Sequence, residues 1–370
     1  MIHLTWKQAI AWHVRRQHLD ERLPRARLLS LVSELCGLHA QVMSSAELTA
    51  WCRIEGLKRN DLAHHLWKTG KLIKTWAMRR TLHLLPAAEH GMWLDGFNYS
   101  PQWRPAWFAY FGVSQNELER ITEAIGEVLR ESGPLSREEL ADAVTKRTGI
   151  AGAREKLTMS WGMLLKPACY RGYLCFGPNR GTNAQFIRPE TSRGAVLQNK
   201  PALRQIARKY LSTYGPATEN AFVRWLHTGQ TGSREMKEAL RAEGVEVDIE
   251  GTKAWVLPGQ ADLLLQNEPP KTVRLLPAFD QYVFAAAPHS HKAMPGDFHS
   301  RIYRNQGWFS PVVLIDGQMM GVWSFARKTK SLAVTVEPFV RYKTNWRRAV
   351  GEEAERLADF MDRKLELKWI

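Results

Sequence analysis

Between an apolar run, Ala26 to Leu35, and the next helical stretch stands Cys36-Gly37-Leu38-His39-Ala40-Gln41. In a continuing helix the His39 and Gln41 side chains point about 200° apart and serve no common site. If Gly37 ends the helix in a left-handed turn, the following residues are extended, and positions i and i+2 then lie on one side. An imidazole and a carboxamide on one edge can hold a water molecule or grip a nucleobase. The rival reading is a capped helix end with two half-buried polar residues. Spacing alone does not decide, because a two-residue motif matches often by chance.

Other groups could carry chemistry. Arg79-Arg80-Thr81-Leu82-His83 puts two cations, a hydroxyl and an imidazole on one short strand-like segment, although a lone histidine there usually belongs to the core. Asp280 follows an apolar strand and reads first as a turn cap, second as an acid or base. His289, His291 and His299 lie among prolines and glycine, and no acid or cysteine completes a ligand set at metal spacing, so no metal site is expected. There is no phosphate-binding P-loop, no dinucleotide fingerprint and no nucleophile elbow, and no cofactor is expected.

The charge balance points to the partner. The 370 residues carry 52 Lys and Arg against 37 Asp and Glu, a net of +15, which favours a polyanion. Eight of those cations, including Arg171, Arg180, Arg188, Arg193 and Lys200, fall between Arg171 and Tyr210 against one acid, Glu190. They surround a turn-rich loop whose tip, Asn179-Arg180, suits a phosphate or minor-groove contact. A solvated basic linker is the alternative. No run approaches the roughly 18 apolar residues of a spanning helix, and membrane insertion is not expected. The N-terminus lacks the pattern of a secretion signal, and four scattered cysteines without C-x-x-C spacing fit a reduced, cytoplasmic protein.

The elements that must position these groups follow a recurring pattern. Thr5 caps a helix over 5–19, Pro24 opens another through Leu35, Ser45 caps a third, and Asn60 or Asp61 starts a fourth. Lys74 to Pro86 then alternates as a strand, with Thr81, His83 and Leu85 on one face. Short helices followed by a β element outline a winged helix. The outline returns with a helix over 117–130, a Ser136–Glu139 capping box, a helix over 153–166 and strands at Tyr173–Phe176 and Ala184–Ile187. It returns again with a helix over 202–213, caps at Thr218 and Ser233, and a hairpin of Val245–Ile249 and Ala254–Leu257. From Lys271 the chain reads as strands at Val273–Leu276, Tyr282–Ala285, Val312–Ile315, Met319–Trp323 and Ser331–Val336, with a loop over 289–310 and a closing helix over 344–366. The implied domains are 1–112, 113–198, 199–268 and 269–370.

Three ordered blocks resemble a known family over nearly the whole chain. Trp76-Ala77-Met78-Arg79-Arg80-Thr81-Leu82-His83-Leu84-Leu85-Pro86 is similar to the W-x-M-R-G-T-L-H-L-V-P signature of bacterial winged-helix proteins related to AlkZ and YcaQ. Leu275-Leu276-Pro277-Ala278-Phe279-Asp280 and the segment from Pro311 to Trp323 resemble its C-terminal blocks. The resemblance implies an α+β fold of three tandem winged helices forming a basic concave DNA channel, with a β-rich, barrel-like C-terminal domain and a terminal helix. It further implies a monomeric, monofunctional DNA glycosylase, without lyase activity, for bulky or crosslinking alkylpurines in duplex DNA, some relatives serving genotoxin resistance. The family's catalytic Gln-x-Gln or Gln-x-Asp falls on His39-Ala40-Gln41, with His in place of the first Gln. Arg79, Arg80, Thr81 and His83 become supporting residues, and Arg80 replaces the usual glycine. The competing class is a non-catalytic winged-helix DNA-binding protein, and a metal-dependent nuclease is disfavoured by the lack of clustered acids.

Overall fold

In the computed structural model, residues 2–97, 105–190, 199–226, 233–266, 268 and 270–370 are described, so Arg193 lies outside the described residues. Several helix starts are set by short polar side chains. Thr5 and Gln8 form a reciprocal capping box for Trp6–Arg16, and Ser136 with Glu139 does the same for Arg137–Thr148. Ser114 and Glu117 cap Gln115–Ser132 in the same way. Ser45, expected as a cap, instead sits buried in the first turn of Met43–Trp51, whose N-cap is Val42. The preceding strand ends at His39, so the chain turns helical before Ser45 is reached.

The expected single strand from Lys74 to Pro86 is a hairpin. Leu72–Trp76 and Leu82–Pro86 pair antiparallel, with Thr75 opposite His83 and Trp76 opposite Leu82. The reversal at Ala77–Thr81 is taken by Arg79 and Arg80 at φ of 55° and 58°. No glycine or proline advertises that turn, which is why alternation read straight through it.

The described residues form four sheets. In the six-stranded sheet, Leu38–His39 lies beside Leu82–Pro86, then Leu72–Trp76, and the latter meets the basic hairpin Cys175–Arg180/Asn183–Ile187 through Lys74 and Phe176. The third hairpin, Val245–Ile249 with Thr252–Val256, takes the N-terminal strand Ile2–Leu4 as a parallel neighbour.

The C-terminal region is not barrel-like. Its five strands run in the order Val273–Leu276, Val312–Ile315, Gln318–Arg327, Ser331–Pro338, Lys364–Trp369, and the first and last do not pair. The fold is therefore mixed α/β with open sheets. Closure needs strands that tilt and stagger until the ends meet. Here the helix Thr344–Phe360 instead returns the chain to a parallel strand and buries Val350, Ala354, Leu357 and Ala358. That helix ends before residue 366 because Lys364–Trp369, alternately exposed and half-buried, joins the sheet edge. Tyr282–Ala285 is also helical rather than extended: Asp280 caps Gln281–Ala286 by accepting from Tyr282 N at 2.9 Å. The supposed loop over 289–310 contains helical turns at Ala287–Lys292, His299–Ile302 and Asn305–Gly307. Among the described residues, no helix is long and apolar enough to cross a membrane.

Two large cores meet at the His39 segment. Leu35, Leu38 and Leu84 belong to a core shared with Leu275, Val313 and Leu357, whereas Cys36, Met78 and Leu85 belong to one shared with Trp93 and Trp225. Burial on both sides fixes the segment's register.

Candidate active site at the His39–Gln41 edge

The helix Leu28–Glu34 ends in two left-handed residues, Cys36 at φ 58° and Gly37 at φ 98°. A Cβ on Gly37 would stand 2.6 Å from Leu85 Cδ2 and 2.9 Å from the Leu84 carbonyl oxygen, so both backbone and space require glycine. The chain then extends. His39 pairs with His83 across the ladder, Ala40 N donates to Leu82 O at 2.7 Å, and Gln41 Oε1 accepts from Leu82 N at 3.4 Å. His39 is 9% exposed, whereas Gln41 stands open to solvent. The two polar groups thus sit two residues apart along one edge.

His83 lies beneath them, fully buried. Its Nδ1–H donates to Thr81 O at 3.0 Å, which leaves Nε2 as the acceptor facing the Arg79 guanidinium at 3.4 Å. Burial first, then the charge of Arg79 and the neighbouring His39, hold its pKa well below the usual histidine range. His39 meets His83 edge-on at 5.3 Å and stacks on Phe279 at 4.8 Å with 23° between the planes. Burial, reinforced by Arg79, pushes the His39 pKa down to about 3, so the imidazole is neutral at physiological pH. Its Nδ1 is buried without a hydrogen-bond partner among the described residues.

Arg79 has no carboxylate within ion-pair distance among the described residues. Its guanidinium lies over the Phe284 ring at 3.8 Å and donates to Trp225 O, and burial lowers its pKa to about 10. Thr81 Oγ1 donates to Met78 O at 3.1 Å, closing the turn. The Arg80 carbonyl accepts from the buried Lys166 ammonium at 3.0 Å.

The segment Phe279-Asp280-Gln281 braces the motif from the C-terminal side. Phe279, at φ 61°, carries the ring that covers His39. Asp280 accepts from Arg53 through two hydrogen bonds of 2.8 Å, both side chains fully buried. Gln281 Nε2 donates to Gly37 O at 2.6 Å. Asp280 is accordingly a structural cap and ion-pair partner, the first of its two sequence readings. Phe279, Gln281 and Arg53 were not singled out from sequence. The apolar block before Asp280 marked the place, but a contact across 227 residues to Arg53 leaves no local signal.

The basic hairpin stands apart from this edge in its partners. Asn179 and Arg180 lie at its exposed end, where Arg180 donates to Glu139 at 2.6 Å. Arg171 is held by Glu119 and Glu123, Arg188 donates to Gly126 O at 2.7 Å across the Tyr173 ring, and Lys200 is exposed in the first turn of Asn199–Tyr214. His289 packs on the Trp6 ring at 4.4 Å.

Residues 32–360 match the family model described as DNA glycosylase AlkZ-like. Over 363 residues the sequence is 35% identical to an interstrand DNA cross-link repair glycosylase of Streptomyces sahachiroi, covering 96% of each chain. The fold is similar to the solved structure of the Streptomyces sahachiroi DNA glycosylase AlkZ, with a TM-score of 0.89, 33% identity and 100% of both chains covered.

Proposed function

Because the chain belongs to the AlkZ-like family of DNA glycosylases, we propose that it hydrolyses the N-glycosidic bond of bulky or cationic alkylpurines of the N7-alkylguanine type in duplex DNA, interstrand cross-links among them. The observation that carries the reading is the placement of a neutral His39 and an exposed Gln41 on one strand edge.

An N7-alkylguanine already bears positive charge and departs as a neutral base, so no strong general acid is needed. The protein has to place a water molecule and tolerate a sugar cation. Gln41 supplies a carboxamide that both donates and accepts, and His39 orients the same water through its uncharged ring. A histidine with a pKa near 3 is too weakly basic to draw a proton from water before the glycosidic bond is largely broken. Its neutrality is useful in itself, since an imidazolium there would repel the developing sugar cation. Arg79, set behind His83, helps keep both histidines neutral.

The reading includes no strand cleavage after base loss. Lys166, an amine beside the supporting turn, is 8% exposed with its Nζ committed to the Arg80 carbonyl, which supports its omission as a Schiff-base nucleophile. Asn179, Arg180 and Lys200 are the proposed phosphate contacts of a monomer on duplex DNA. The test is product analysis on a duplex containing N7-methylguanine or a bulky N7 adduct. Free modified base with an intact abasic strand is expected; strand scission without alkali, or no base release from either duplex, would contradict the proposal.

A further inference from the structure

Two rings out from His39 the aromatic surface of the site reaches solvent. Phe279 lies on the His39 imidazole at 4.8 Å, and Trp308 meets Phe279 edge to face at 4.7 Å with 49% of its surface exposed. One exposed apolar side chain is ordinarily uninformative. This one is held in place beside the proposed chemistry. Its loop is closed by a bridge between Tyr303 and Phe309 and by hydrogen bonds from Arg304 N to Trp308 O at 2.8 Å and from Ser310 N to Ile302 O at 2.9 Å. Ser310 Oγ adds a bond to Arg301 O at 2.8 Å, and Gln306 accepts a left-handed φ of 59° to make the turn. The same tip presents Arg304, exposed and without an ion-pair partner among the described residues.

We infer that Trp308 determines specificity by stacking on a planar aromatic substituent carried at N7 of the lesion purine. The inference rests on the glycosylase reading of His39 and Gln41. N7 and the glycosidic N9 belong to the same five-membered ring, so a substituent on N7 starts beside the reacting bond at that edge. A polycyclic group extending outward from it can cross the two centroid spacings, 4.8 and 4.7 Å, that lead from His39 through Phe279 to Trp308. Ordinary bases of the duplex have their faces covered by neighbours, whereas an aromatic substituent outside the stack offers a free face to an indole. Arg304, on the same tip, adds an exposed cation that suits a backbone phosphate.

The test uses the full chain and two duplexes that differ only at one guanine N7, methyl in one and a polycyclic arylmethyl group in the other. Equilibrium binding and single-turnover base release are measured for wild type, Trp308→Ala and Trp308→Phe. The preference for the aryl over the methyl duplex should fall on the order of 5- to 100-fold in Trp308→Ala, the range for removing a base-stacking aromatic, and should largely persist in Trp308→Phe. An equal loss on both duplexes, or an unchanged preference, overturns the inference. Wild-type protein that binds the aryl duplex preferentially yet releases no base counts against the glycosylase reading alone, because the binding preference still reports on Trp308.

Discussion

Replacing Asp280 by alanine should be among the most damaging single changes in the protein, and the reason is the arginine it leaves behind. Arg53 is fully buried; besides its two 2.8 Å bonds to Asp280 it donates to Gln17 O at 2.8 Å and Thr49 O at 3.0 Å. Without the carboxylate those carbonyls still solvate the guanidinium, but its charge is uncompensated. Breaking a buried pair from one side costs about 3–5 kcal/mol, and loss of the cap on Gln281–Ala286 adds about 1 kcal/mol. Asp280→Asn keeps an acceptor for the cap and should lose about 3 kcal/mol, chiefly the charge. Removing both charges in Arg53→Met/Asp280→Asn should recover at least half of that loss, because a neutral pair leaves no buried ion. Urea titrations of wild type, Arg53→Met, Asp280→Asn and the double variant at neutral pH give the cycle, and Asp280→Ala is titrated alongside. Asp280→Ala within about 0.5 kcal/mol of wild type, the level of an ordinary surface change, would refute the reasoning. Base release separates structure from chemistry: folded Asp280→Asn should act close to wild type, and a loss beyond ~100-fold in protein that is still folded would place the carboxylate in the reaction.

Gly37→Ala forces a Cβ against Leu85 and the Leu84 carbonyl at φ 98° and should cost about 2–4 kcal/mol in urea unfolding; a loss under about 0.5 kcal/mol would show that the turn is adjustable. His13, His39, His83 and His90 are held neutral by burial, with pKa values of about 4, 3, well below normal and about 4. The unfolded chain binds protons at these sites near the ordinary pKa of about 6.5 and the folded chain does not, so stability is fully present above that pH and is lost as pH falls toward 4. The slope approaches about 1.4 kcal/mol per pH unit for each histidine, and a urea midpoint at pH 5 as high as at pH 7.5 would contradict it. Arg180→Ala should weaken duplex binding and reduce the slope of log K against log salt by about 0.9; an unchanged slope removes Arg180 from the phosphate contacts.

What could be read from sequence follows the range of the interactions. The cap at Thr5, the capping box at Ser136–Glu139, and the neighbouring strands Val312–Ile315 and Met319–Trp323 depend on residues within a few positions of one another, and all three are present. The left-handed break at Gly37 and the extended segment after it belong to the same class. The turn at Arg79-Arg80 was hidden because its left-handed residues are arginines. Lys364–Trp369 was hidden because an alternating charged run also suits a helix, and only its parallel pairing with Ser331–Pro338 decides the matter. The inward faces around His39 were the least legible. Phe279 and Gln281 meet the motif, and Arg53 meets Asp280, across more than 200 residues, and their identities alone do not single them out.

The central claim is that His39 and Gln41 form the reacting edge. Single-turnover release of N7-methylguanine from a duplex, measured for wild type, His39→Ala and Gln41→Ala with duplex affinity and unfolding midpoint recorded alongside, tests it most directly. Both variants should fold and bind DNA yet release base at least ~100-fold more slowly, the loss expected when a group that positions a reactant is removed. Wild-type rates in variants that fold and bind would place the chemistry elsewhere.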